Sequence, residues 1–357
     1  MSGYFEPLTI GKLDLPNRLV MAPMSRNRAP GGVVPALTAE YYAQRASAGL
    51  IISEAIAISE IAQGSHQSPG LHTAAQVQAW RPVTEAVHAA GGRIFAQVVH
   101  CGRIGHSSLY TDGALPLAPS AIASGEQLFT ADGALDRPTP REMTVADIAE
   151  TMADFVTAAR NAVEAGFDGV ELHGANGFLL HQFLSDTTDR RTDGYGGSLE
   201  ARLRFTVEVV QAVSSAIGPE RVGLRLSPGI TFNGMAENDT AELYTALVRA
   251  LTPIPLAYLH VFEILTRDIT ELIRAQWPGT LVLCAHPTPD SFPSRPEIGA
   301  EALGGGIADA IAMAEPWLAN PDLPERIRAG GSYNMADRAT FYGGDHLGYT
   351  DYPTLNA

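Results

Sequence analysis

Eight short apolar runs, rich in Val, Ile and Leu and each bounded by turn residues, recur along this chain at 18–23, 50–55, 93–100, 169–173, 222–228, 257–262, 280–285 and 308–314. Amphipathic helical patterns separate them, at 38–48, 74–90, 144–165, 198–217, 239–251, 268–276 and 290–303. Thr38 is placed to cap the first of these, and Thr144 with Asp147 forms a near capping box at the start of the third. Strands that alternate with helices pair in parallel, and near-continuous apolar strands are buried on both faces. Eight such units in one chain predict a closed (β/α)₈ TIM barrel, an α/β fold. An open dinucleotide-binding sheet needs a glycine-rich turn after its first strand. Here Ala22-Pro-Met-Ser-Arg26 follows instead. One stretch breaks the alternation. Residues 101–142 are rich in Gly, Pro, Ser and Asp and too long for a bare connection, so they predict a capping insertion after strand 3. The whole of 1–357 is expected to form a single barrel domain carrying that cap.

Composition narrows the partners. The 357 residues are 45% hydrophobic, ample for a large core, and carry a net charge of −15. That charge argues against nucleic acid or an anionic membrane as partner. Two cysteines make no disulfide framework, no signal peptide or membrane span is evident, and no metal-ligand set is read, so a cytoplasmic enzyme of small molecules is expected, as a possible homo-oligomer.

In such barrels the working face lies at the C-terminal ends of the strands. Reading those ends gives Pro23-Met-Ser25, Glu54-Ala55, Gln97-Val-Val-His100, His173-Gly-Ala-Asn176, Arg225 and Glu263. Any one of these could be a structural hydrogen bond. As a set, converging on one mouth, they predict a ligand site.

The run Glu171-Leu-His-Gly-Ala-Asn-Gly-Phe178, continued by His181-Gln-Phe-Leu-Ser185 and Arg191-Thr-Asp-Gly-Tyr-Gly-Gly-Ser198, resembles the signature of the old yellow enzyme family, flavin-dependent reductases of activated alkenes. Leu15-Pro-Asn-Arg-Leu-Val-Met-Ala-Pro-Met-Ser25, the segment 41–55, Phe341-Tyr-Gly-Gly344 and Gly348-Tyr-Thr-Asp-Tyr-Pro353 extend the resemblance over nearly the whole chain. It implies roles. Ser25, Ala55, Gln97 and Arg225 stand where the flavin ring is held, with Arg225 facing its N1–C2 end. His173 and Asn176 stand where two donors grip a substrate carbonyl or nitro oxygen. Tyr342 stands near the pocket wall, with Ser65, His66 and His100 around the same expected pocket.

Three departures from the family pattern shape the expected function. Phe178 stands where the family usually places a tyrosine proton donor, and it has no proton to give. The loops after strands 7 and 8 read Cys284-Ala-His-Pro-Thr-Pro289 and Ala312-Met-Ala-Glu-Pro-Trp317. His286, Pro287, Ala314 and Glu315 occupy positions where the resemblance implies glycines and an arginine around a phosphate, and proline donates no backbone hydrogen bond. A lost charge-assisted bond is worth about 1.5–3 kcal/mol. A carboxylate about 4 Å from a phosphate charge adds about 4 kcal/mol of repulsion at an effective dielectric of about 20. The pocket surroundings also differ, at Val99 and at Ser65-His66. These departures together predict a repurposed barrel without tightly bound cofactor, carrying out a redox-neutral isomerisation or cyclisation of an unsaturated carbonyl metabolite. Two alternatives stay open: an FMN- and NAD(P)H-dependent ene reductase or isomerase with a substitute proton donor, and a non-catalytic metabolite-binding barrel.

Overall fold

The structure is a computed structural model and describes residues 2–356. Eight strands close into a parallel barrel in chain order: β1 (Leu19–Met21), β2 (Leu50–Ala57), β3 (Ile94–Val99), β4 (Gly169–Gly174), β5 (Val222–Leu226), β6 (Tyr258–Phe262), β7 (Leu281–Cys284) and β8 (Ala310–Met313). β8 pairs with β1 through Ile311 opposite Leu19, which closes the cylinder. Each strand lies at or inside an apolar run read from the sequence, or extends it by one or two residues.

Helices wrap the outside. They are α1 (Leu37–Ala43), α2 (Ala74–Ala89), α3 (Val145–Glu164), the short buried α4 (Leu179–Leu184), α5 (Leu199–Ile217), α6 (Thr240–Leu251), α7 (Arg267–Gln276), α8 (Pro296–Gly304), α9 (Glu315–Ala319) and α10 (Leu323–Ala329). Their starts follow from side chains that accept otherwise unpaired N–H groups. Thr73 with Gln76, and Thr144 with Asp147, form capping boxes, and Ser198 accepts from the Ala201 N–H. Thr38 is not a cap: α1 begins at Leu37 behind Ala36, and the chain beyond Ala43 continues as turns. The Thr38 N–H is satisfied by the Pro35 carbonyl, one turn earlier than the expected start.

Two cores result. One lies between strands and helices. The other fills the barrel, where Val20, Leu50, Ile52, Phe95, Tyr258 and Val282 meet Ile10 and Leu15 of an N-terminal hairpin. Strands Leu8–Ile10 and Leu13–Leu15 of that hairpin pair antiparallel. Gly223 on β5 is required by this packing, because a β-carbon there would penetrate the Tyr258 ring. Within 101–142, a ladder joins Leu117–Ala118 to Arg141–Glu142, and Gln127–Thr130 pairs antiparallel with Gly133–Asp136. Among the described residues no helix is long and apolar enough to cross a membrane.

Candidate active site

The polar layer at the top of the barrel is set by strand register. Glu171 lies opposite Gln97, His173 opposite Arg225, and Arg225 opposite His260. Side chains two apart on a strand share a face, so Glu171 and His173 stack in successive levels of one interior. Glu171 is fully buried, accepts from Gln97 Nε2 at 2.7 Å, and meets His260 Nδ1 at 2.8 Å. Burial opposes its charge, but His260, Arg225 and the two hydrogen bonds outweigh that and hold its carboxyl below the usual range. Burial lowers the His260 pKa, against the pull of the Glu171 charge. This carboxylate fixes the Gln97 amide and places negative charge near Arg225.

Arg225 is buried, its guanidinium lies 5.0 Å over the Phe262 ring, and its Nε has no partner among the described residues. His173 is buried too, and its Nδ1 accepts the Ala175 N–H at 3.3 Å. Desolvation, then the Arg225 charge, hold its pKa far below the ordinary histidine value. A neutral ring that accepts at Nδ1 carries its proton on Nε2, which leaves a donor for the cavity.

The turn after β4 aims the next group. Asn176 adopts φ 56° and Gly177 φ 74°. Asparagine tolerates this left-handed conformation, and a β-carbon on residue 177 would lie 2.7 Å from Met235 Cγ. The Asn176 N–H donates to Ser227 Oγ at 2.8 Å, and its carbonyl accepts from Asn233 Nδ2 at 2.7 Å. Its buried Oδ1 has no partner among the described residues. The Phe178 ring stands edge-on to His173, with centroids 4.7 Å apart.

These groups share one cavity of about 500 Å³, whose wall also contains Ser25, Ala55 and Gln97. Pro23 also lines it, and Glu126, Thr231, Phe232 and Asn233 complete it. Sequence reasoning missed those four, because they sit in irregular loops with no period to read. A second chamber of about 480 Å³ shares Ser25, Ala55, Phe178 and Asn233 with the first and contains Ser65 and Tyr342.

Other expected positions lie elsewhere. His66 is exposed and lines neither chamber. His100 is buried but turned into its own loop, where Nδ1 accepts the Gly102 N–H at 3.0 Å and burial pushes its pKa down to about 3. His286, Pro287, Ala314 and Glu315 also line neither chamber. The His286 ring is taken up by stacking on Phe292 at 3.8 Å and by Nδ1 against the Ser291 carbonyl at 2.9 Å.

A buried cation with an unpartnered Nε, an amide held by a buried carboxylate, and the small side chains Ser25 and Ala55 suit the polar edge of a flat heteroaromatic ring. The fit is to the ring. After β7 the exposed Arg295 guanidinium bonds the Asp290 carbonyl, and after β8 Glu315 opens α9.

A family model described as NADH:flavin oxidoreductase / NADH oxidase matches residues 4–334. The chain belongs to this family, the old yellow enzymes. It is 40% identical over 361 residues to 12-oxophytodienoate reductase 1 of Oryza sativa subsp. japonica, covering 98% of this chain and 92% of the relative. Morphinone reductase, solved in complex with tetrahydroNAD, superposes with TM-score 0.94 at 44% identity, covering 99% and 98% of the two chains. The old yellow enzyme homologue from Zymomonas mobilis gives 0.93 at 38%, covering 99% and 100%. Membership overturns the expectation of a barrel without tightly bound cofactor, since the family is one of flavin oxidoreductases. The flavin-free isomerase or cyclase loses its basis with it. That expectation gave the altered tail loops too much weight; Ser25, Ala55, Gln97 and Arg225 line the cavity without them.

Proposed function

We propose that this old yellow enzyme is an FMN- and NAD(P)H-dependent reductase of activated alkenes whose proton does not come from residue 178. The observation that carries this reading is the convergence of Arg225, Gln97, His173 and Asn176 on one cavity. Flavin, when bound, supplies the hydride that the β-carbon of the alkene accepts. Ser25, Ala55 and Gln97 would hold its ring, and Arg225 would stabilise negative charge at its edge. His173 Nε2–H and the Asn176 amide donate to the substrate's carbonyl or nitro oxygen. Two donors there withdraw electron density from the β-carbon and stabilise the enolate-like charge that follows. Phe178 contributes an apolar wall against His173. The proton for the α-carbon then comes from water entering the cavity mouth.

The test uses protein purified with its cofactor. We expect a flavin-coloured protein that, without dioxygen, turns over NAD(P)H only when cyclohexenone is present and yields cyclohexanone. Solvent deuterium should appear at the α-carbon. A colourless preparation that converts enones without consuming NAD(P)H would sink this reading.

A further inference from the structure

Glu171 lines neither chamber, yet its carboxylate acts on two groups that do line the reaction cavity, Gln97 and Arg225. One oxygen accepts from Gln97 Nε2 at 2.7 Å and the other meets His260 Nδ1 at 2.8 Å. A carboxylate only accepts, so the Gln97 amide can turn just one way, with its NH2 toward Glu171. The Gln97 carbonyl is then the group left for a ligand, an acceptor suited to an N–H of a heteroaromatic ring.

The same carboxylate faces Arg225. The ionisable neighbours that favour the Arg225 charge are Glu171, Cys284 and Tyr258. Burial pushes the Cys284 thiol up to about 11 and raises the Tyr258 hydroxyl well above its usual value, so both are neutral at ordinary pH. Of the three, only Glu171 is ionised. Among the described residues it makes no contact ion pair with Arg225, and its two oxygens are spent on Gln97 and His260. A carboxylate at one remove cancels part of the guanidinium's field while leaving the group itself free toward the cavity. The undamped cation would favour a negatively charged, reduced ring over the neutral oxidised one. Damping weakens that preference.

We propose that Glu171 is a positioning residue that sets the reduction potential of the bound flavin: it turns the Gln97 carbonyl toward the ring and damps Arg225, which keeps the reduced ring a strong hydride donor. This deepens the reductase reading and rests on it. Glu171 itself touches neither substrate nor ring and acts only through Gln97 and Arg225.

The test is a dye-equilibration titration of the FMN-loaded proteins without dioxygen, at pH 8, above the lowered His260 value. FMN affinity is measured beside it. Glu171→Gln keeps the shape and removes the charge. Its preference for reduced over oxidised FMN should exceed that of wild type by about tenfold, the scale on which one charge moves a neighbouring titration. For a two-electron couple that is a potential higher by about 30 mV. Glu171→Asp keeps the charge and loses the reach to Gln97. Its preference should stay within about twofold of wild type, while oxidised FMN binds several times more weakly. An unchanged preference in Glu171→Gln overturns the inference. If Glu171→Gln does not fold, Glu171→Asp decides alone: wild-type FMN affinity, or a preference that moves about tenfold, overturns it. Wild type that reduces cyclohexenone with no such shifts in the variants removes this inference and leaves the reductase reading. Shifts as expected in a protein that reduces no enone do the reverse, and a wild type that holds no FMN removes both.

Discussion

Burial decides what His173 can do. Removed from water and set beside Arg225, its ring stays neutral over the whole range in which an exposed histidine titrates. That fits it to donate a hydrogen bond and not to shuttle a proton. His173→Ala should lower kcat/KM for cyclohexenone by about 10²-fold, typical of losing one donor to developing negative charge. The sign of the pKa shift adds a stricter expectation. Because the folded value lies well below 6.5, the neutral donor is present from about pH 6 to 8, and the ratio of wild-type to variant activity should stay constant there. Steady-state rates of both proteins across that range measure it. A ratio that collapses as pH falls through 6.5 would show the ring taking a proton and would remove the donor role.

At the scale of the element, the short helix α4 locks the turn that carries Asn176 and Phe178. His181 Nδ1 accepts the Gly177 N–H at 3.1 Å, while Nε2 meets Glu237 at 2.7 Å. Glu237 also accepts from the Gly229 N–H and the Tyr244 hydroxyl, both at 2.9 Å. Its burial opposes ionisation, but these partners hold the carboxyl below the usual range. The β4 turn is thereby tied to the loop that supplies Thr231, Phe232 and Asn233. His181→Ala strands a buried carboxylate and a backbone donor, so stability should fall by about 3 kcal/mol, with a higher KM for cyclohexenone. Denaturant unfolding and kinetics check both; unchanged values would make the network incidental. The strands were legible in the sequence because each is apolar on both faces and bounded by turns. The expected helix 290–303 was only half right. Pro289–Ser291 makes a 3-10 turn, and α8 starts at Pro296, a residue suited to the first helical position and not to the interior. His173, Asn176 and Arg225 were legible because they end strands. Glu126 and Asn233 were not, because loop side chains meet only after the chain has folded. His100 was misplaced for a related reason: it ends a strand, but its loop turns the ring back on itself.

Across the whole molecule the charges at the mouth divide into two regions. Arg225 lines the reaction cavity and Arg137 the second chamber, while the loop after β7 carries the exposed Arg295, bonded to the Asp290 carbonyl. Glu263 is buried and bonded to Arg267 at 2.8 and 2.9 Å, burial keeps His286 neutral, and Glu315 stands half-buried in the first turn of α9. Barrels commonly take a ligand phosphate at the loops after strands 7 and 8. We expect the FMN tail to meet Glu315 there, with a repulsion of about 4 kcal/mol at 4 Å and an effective dielectric of about 20. Glu315→Arg should then tighten FMN binding by about tenfold or more. Riboflavin carries the same ring without the phosphate, and its affinity should stay within about twofold. Titrating flavin-depleted protein with each flavin, followed by fluorescence quenching, gives both constants. Equal gains for the two flavins would mean that the substitution acts through the ring site. No gain for either would mean that the carboxylate turns to solvent and the phosphate is held elsewhere on the mouth.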